Sequence, residues 1–595
     1  MSNFNIEKLT EEYENKFSDG WLEKEDWSED KEKESYLKCK ALIDSYSELF
    51  FVTFSYSILS GEFLDKKDII DGKIKEITQA TTKEYGNPIE GGSVFNKKIL
   101  EEFDVLNKSI QSACLEYKGI IKFYPSHYNA IHNNYRFRVY RQVKNTNSNN
   151  KISYFGDIVV EICKFDFYFE NEDDSFKNLI LLKDMIKNLL KKETSNDIIN
   201  VFSICIEKID FLVKKLLPYS GTSVYSIDFT DYQLGLKDIK LKNFDYLWRQ
   251  YELFSCISSD ATSVSTNPLI DHYQRKAFGG NIKFSELILL MRVYCKDKNS
   301  SDIQIRNIFE LFDSKYNSCT QKTLHEFDKY ALHSMRNLMY NCRLSYFLQQ
   351  KSYTINSLKD DMDVIEDFQS KTGVTNYFHF QLAIEYLLKK AKEQISFDAL
   401  KTIKELLNKY VVSYNKAISQ CKKNGFYPLQ LMFEECSFYI EDLRETVFIP
   451  SSFSQPVNYR KLEEKVDDYR IRCLQIENKL DLLKEQESIN ELKKNLETTT
   501  SKYIEIGGIF VAVLSLLFSV VSFTNTKMDV SDIALHSFGI GFILLMFVSC
   551  IYVLTLKRDC KLSEIFKSLR FWFFAFLLII SAIALYIIIK HYSYI

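Results

Sequence analysis

Proline and glycine are scarce: 7 and 18 respectively in 595 residues. Proline breaks helix interiors and glycine weakens them, so their shortage favours long helices. An imbalance of charge is also missing. With 77 basic against 80 acidic residues the net charge is −3. No global field draws the chain to nucleic acid or to anionic lipid, and no direct nucleic-acid binding is expected. The 13 cysteines include no CxxC pair and no His-Cys spacing of a zinc site. No metal site is expected, and reduced, buried thiols fit a cytosolic setting. Residues 1–21 are polar and acidic without an apolar h-region, so no signal peptide is expected. GxSxG, HExxH, the kinase set, GxGxxG and a paired-carboxylate signature are all absent. The expectation is a protein that is not an enzyme and carries no cofactor.

What is present is a globular composition. Hydrophobic residues make up 46%, charged residues 26% and aromatics 15%. That excludes wholesale disorder and supplies bulky side chains for large cores.

Long apolar runs lie near the C-terminus. Residues 506–523 contain 18 positions without a charge, residues 534–556 contain only His536 as a titratable group, and 571–589 form a third run. A bilayer crossing takes about 20 apolar residues, so three transmembrane helices are expected. Lys557, Arg558, Lys561, Lys567 and Arg570 lie between the second and third runs, whereas only Lys527 lies between the first two. The positive-inside rule then predicts a multi-pass membrane protein with a cytoplasmic N-terminus and an outside C-terminus, in the inner (plasma) membrane if the resemblance given below holds. The run at Leu49–Leu59 is too short to cross and is expected to be a buried core helix.

Ahead of the first run, Leu462, Val466, Tyr469, Cys473, Ile476, Leu480 and Leu483 alternate at spacings of four and three, as in a coiled coil. The phase slips after Leu483, where Ile489, Leu492 and Leu496 start a new stripe. Two readings stand: a self-associating stalk, or an amphipathic helix packed on its own domain. On the first run Gly508, Ala512, Ser515, Ser519, Ser522 and Thr526 form a stripe of small residues, suited to close helix packing or to lining a narrow path.

In the region ahead of the stalk, Tyr135–Val143 alternates as a strand, and Ile152–Phe169 is expected to add one or two more. The cationic face of Arg136 and Arg138 is a candidate anion site; a solvated strand face is the alternative. A second candidate is the loop-like stretch holding His272, Arg275 and Lys276 before Gly279 and Gly280, where glycine lets a backbone approach a ligand. A third is His333, Arg336 and Asn337 on one helical segment, with a domain-facing patch as the alternative.

The expected fold class is mainly α: a large helical cytosolic region with a small β insert, a coiled-coil-like stalk and a C-terminal bundle of three transmembrane helices. Its predicted parts are a helical region (1–120), a β insert with a helix pair (121–235), a helical domain (236–449), a hinge (450–458), a stalk (459–503) and a transmembrane region (504–595). This order of parts resembles membrane effectors of bacterial anti-phage and abortive-infection systems. The resemblance implies a cytosolic region that senses a signal and gates a membrane-disrupting or channel-forming part. The other expectation is a membrane-anchored scaffold or receptor without a channel. Expected partners are the lipid bilayer, further copies joined through stalk and first span, and a nucleotide-like or protein trigger.

Overall fold

The computed structural model describes residues 5–18, 20–82, 94–123, 151–169, 175–219, 239–255, 268–296, 300–393, 396–424, 429–524, 529–555 and 569–592. Among the described residues the protein is mainly helical, 81% helix against 2% strand. It divides into two compact units, Met1–Ile476 and Glu477–Ile595.

The first unit is built round α2 (Glu32–Leu59). Its second half, residues 50–59, is buried on every side, with no side chain more than 4% exposed. A run that is apolar all round belongs in a core, and this one meets neighbours in every direction. They are α5 (Val94–Phe123), α8 (Asn196–Leu216) and a π-helical turn at Phe155–Val160. The short α1 (Leu9–Lys16) packs on α4 (Lys67–Ala80), after the four-residue α3 (Glu62–Asp65). Phe17 closes this end, with ring centroids 5.3 Å from Trp21 and 4.9 Å from Phe103.

The π turn runs into α6 (Glu161–Tyr168), and α7 (Ser175–Leu190) pairs with α8. The strands expected within Ile152–Phe169 are therefore corrected: the segment is helical. Ile158, Val159, Val160, Ile162, Cys163 and Phe165 are all buried. A segment so rich in buried apolar residues loses the periodicity that separates helix from strand. Tyr135–Val143 lies outside the described residues. The strands that are described, β1 (Ser437–Ile440) and β2 (Glu445–Phe448), form an antiparallel hairpin far along the chain, with Ser437 opposite Phe448.

Further helices complete the unit: α9 (Asp245–Ser255), α10 (Pro268–Phe278), α11 (Phe284–Lys296), α12 (Asp302–Thr320), α13 (Glu326–Phe347), α14 (Ile355–Thr372), α15 (Phe378–Glu393), α16 (Phe397–Asn424) and the single turn α17 (Phe433–Cys436). Helix α13 touches α11, α12, α14 and α15 and is the hub of this half. The capping box of Ser301 and Gln304 starts α12, and Gly373 at φ 71° closes α14.

A single helix, α18, runs 66 residues from Tyr459 to Thr524. That is about 100 Å at 1.5 Å per residue. Its first six turns bury Val466, Tyr469, Cys473, Ile476 and Leu480. The Tyr469 hydroxyl donates to Glu385 Oε1 at 2.9 Å, and its ring lies 5.7 Å from that of Tyr414. Of the two readings of this stripe, the structure shows packing on the chain's own helices. In the second unit, α19 (Val530–Thr555) packs against α20 (Leu569–Tyr592).

The expectation of three transmembrane helices is corrected. Among the described residues, no helix is long and apolar enough to cross a membrane. A crossing takes about 20 consecutive apolar residues, and no described helix meets that need. With the spans go the readings that depended on them: the gated channel or membrane-disrupting effector, its membrane-anchored alternative, and the multi-pass inner-membrane location.

Candidate functional site

The most unusual chemistry lies where two lysines are buried completely. Helix α8 is amphipathic, and its core face carries Ile204, Cys205, Phe211 and Leu212. Lys208 and Lys215 stand seven residues apart, two turns along that same face. They are 1% and 0% exposed. Such burial of a charge is tolerated only with partners.

Lys208 finds its partner on α6. Its Nζ lies 2.8 Å from Asp166 Oδ2, 3.0 Å from the Phe448 carbonyl and 3.9 Å from Cys163 Sγ. Burial acts to lower the ammonium's pKa, but the Asp166 carboxylate beside it wins and holds it above its ordinary value. Asp166 Oδ1 accepts the Ser451 hydroxyl. Among the described residues no carboxylate pairs with Lys215. Its Nζ donates to the Ser451 carbonyl and sits 4.4 Å from the ring centres of both Phe169 and Tyr251. Burial pulls this amine well below the usual lysine range, and the attraction of Asp166 offsets only part of that. Phe169 takes φ 37° at the end of α6, a left-handed value costly for a bulky residue. That conformation ends α6 with its ring over Lys215.

All of this converges on residues 448–454, which are wholly buried and lead into α18. A buried backbone must find internal partners. Here Lys208 and Lys215 take the carbonyls of Phe448 and Ser451. Gln430 Nε2 donates to the Pro450 carbonyl at 3.4 Å, and the Ile449 amide donates to the Cys436 carbonyl at 2.8 Å. Residues 448–451, which overlap the expected hinge (450–458), are bonded from several sides. Gly61 closes in from α2's end at φ 72°, where a Cβ would come within 2.8 Å of the Phe433 and Phe448 rings. The arrangement is a clamp: it holds residues 448–451, just ahead of α18, by bonds from α8, Gln430 and Cys436.

The residues singled out from sequence lie elsewhere. Arg136 and Arg138 are outside the described residues. His272, Arg275 and Lys276 lie on α10, a helix where a loop was expected. Lys276 pairs with Glu286 at 2.6 Å, and Arg275 Nε donates to the Asp271 carbonyl at 3.3 Å. Gly279 and Gly280 form the C-terminal cap, their amides bonded to the carbonyls of Arg275 and Ala277. A helix C-terminus carries negative partial charge, the opposite of an anion cradle.

His333 and Arg336 do meet partners. The His333 Nδ1 is 2.8 Å from the Tyr316 hydroxyl. The Arg336 guanidinium lies 4.3 Å from the Tyr316 ring centre, 5.3 Å from that of Phe368, and 3.3 Å from Asp313. Burial, with Lys329 and Arg336 nearby, lowers His333 to about 4. Asn337 is buried; its Nδ2 donates to the Val374 carbonyl at 2.8 Å, while its own carbonyl accepts His379 Nε2 at 2.9 Å. These groups tie α13 to α12, α14 and α15.

Of the small-residue stripe, Gly508 is buried, Ala512 and Ser515 are partly exposed, and Ser515 Oγ donates to the Val511 carbonyl of its own helix at 2.9 Å. The side chains of Ser519 and Ser522, and all of Thr526, lie outside the described residues. Among the described residues no three His, Cys, Asp or Glu side chains are placed to hold a metal. Ten described cysteines are free thiols, all but Cys319 buried.

The clamp residues escaped the sequence reading, though a signal existed: two lysines interrupting the apolar face of one helix at i and i+7. No family model, no curated protein and no solved structure matches this chain.

Proposed function

We propose that the protein is an assembly scaffold: a helical body grips the base of one long helix, whose far part joins chains together. The observation that carries this reading is the clamp. Two buried lysines and an aspartate, costly to desolvate, are spent on fixing residues 448–454 directly before α18. Binding surfaces are most precise when rigid elements hold them, and a fixed base gives α18 a defined direction. Self-association along α18 is the matching partner expectation. No catalytic step is assigned to the buried cluster; its polar atoms are engaged with backbone and with one another.

The test is amide hydrogen exchange on the full chain and on Asp166→Asn. Loss of protection across residues 448–480 together with a changed assembly mass supports the scaffold. Unaltered protection overturns the clamp. Co-flotation of the intact chain with phosphatidylcholine vesicles, in place of a defined protein assembly, overturns the scaffold.

A further inference from the structure

Beyond Leu480, α18 carries a second apolar stripe whose side chains are exposed. Leu482, Ile489, Leu496, Tyr503 and Phe510 recur every seven residues. They are 65%, 61%, 69%, 71% and 65% exposed. Leu492, Ile506 and Val513 stand three residues after Ile489, Tyr503 and Phe510, and are 65%, 61% and 49% exposed. This is a heptad seam with two polar interruptions, Glu485 and Thr499.

The seam does not continue the buried stripe. At 100° per residue, Leu482 lies roughly 160° around the helix from the centre of the Val466–Leu480 stripe. A strict seven-residue repeat drifts about 20° per heptad on a straight helix, and only a partner with the same repeat can follow it by supercoiling. A second copy of this chain supplies that repeat.

Polarity along the helix selects the direction. Charges crowd residues 484–497, whereas residues 506–515 have none. Antiparallel pairing would lay the charged half of one helix on the apolar half of the other. Parallel pairing in register sets apolar against apolar and polar against polar along the whole length. The area suffices: eight side chains losing on the order of 100 Å² each give about 800 Å² per partner, the size of a stable interface.

We propose that two copies of this chain pair in parallel and in register through α18, along the seam from Leu482 to Val513. The proposal rests on the scaffold reading and names its partner. It is tested with the full chain. Sedimentation equilibrium at micromolar concentration is expected to give twice the 70.0 kDa chain mass. Mild oxidation is expected to link Leu496→Cys into a covalent dimer at least tenfold faster than Glu497→Cys, which points off the seam. The double variant Leu492→Lys with Leu496→Lys is expected to raise the dissociation constant at least a hundredfold while leaving the circular dichroism of the body unchanged. A monomer at these concentrations, or equal linking of the two cysteine variants, overturns the pairing. Hydrogen exchange over residues 448–454 scores the clamp separately, so pairing can fail while the clamp stands.

Discussion

The two parts of α18 follow the same spacing rule and meet opposite fates. Val466, Tyr469, Cys473, Ile476 and Leu480 are at most 8% exposed, whereas Leu482, Ile489, Leu492 and Leu496 are 61–69% exposed. The difference teaches that a heptad pattern identifies a helix face that wants covering, and leaves open what covers it. In the first part the chain's own helices do so. Tyr469 reaches Glu385 on α15, and Lys422 at the end of α16 reaches Glu463 at 2.7 Å. In the second part, the described helices leave the seam uncovered.

Four experiments break or sharpen this comparison, taken from the largest expected effect. Asp166→Ala leaves the Lys208 ammonium buried without its carboxylate and is expected to cost about 3–5 kcal/mol. Urea unfolding followed by circular dichroism checks this, and a loss below 1 kcal/mol would show that the clamp does not anchor α18. Next, Tyr469→Ala empties a ring from the covered face and is expected to cost about 3 kcal/mol, whereas Ile489→Ala on the open face is expected to stay within about 0.5 kcal/mol. Equal losses in the two variants would erase the distinction between the two parts.

The third concerns acid. His379 is fully buried and lowered to about 4 by burial, partly offset by backbone hydrogen bonds with Asn376 and Asn337. A histidine whose folded value lies below its unfolded one binds more protons when unfolded. Its contribution is present above pH 6.5 and is lost as pH falls towards 4. It amounts to about 3 kcal/mol over that window. His333 shifts in the same direction. Melting temperature against pH checks this: wild type is expected to fall steeply between pH 6.5 and 4.5, and His379→Gln less so. Identical slopes would refute it. The smallest effect is that of Gly61→Ala, where positive φ and the Phe433 and Phe448 rings leave no room for a methyl group. A loss of about 1–3 kcal/mol is expected, with no change in seam-dependent assembly.

Much of the fold was legible because it is local. The scarcity of proline and glycine foretold long helices, and an 11-residue apolar run flanked by acids foretold the core half of α2. The helical spacing from Leu462 foretold a helix there, although the apolar phase slips after Leu483. The β insert misled because residues 158–160, 162–163 and 165–167 are buried and apolar residues crowd the segment, which blurs the helical period. The apolar C-terminal runs suggested spans by composition, but no described helix has the length and apolarity to cross a membrane. Among the candidate residues, sequence placed His333 and Arg336 on one face, yet it could not supply Tyr316, Asp313 and Phe368, which arrive from α12 and α14.

The sequence by itself determined which segments are helices and which faces are apolar, because backbone hydrogen bonds and side-chain periodicity act within a few residues. Only the tertiary structure decided which partner each face meets. Asp166 and Ser451 are 285 positions apart, and no local rule joins them. They meet because the lysines of α8, once buried, must find an opposite charge and free carbonyls, and folding brings α6 and residues 448–451 to the place where both needs are met.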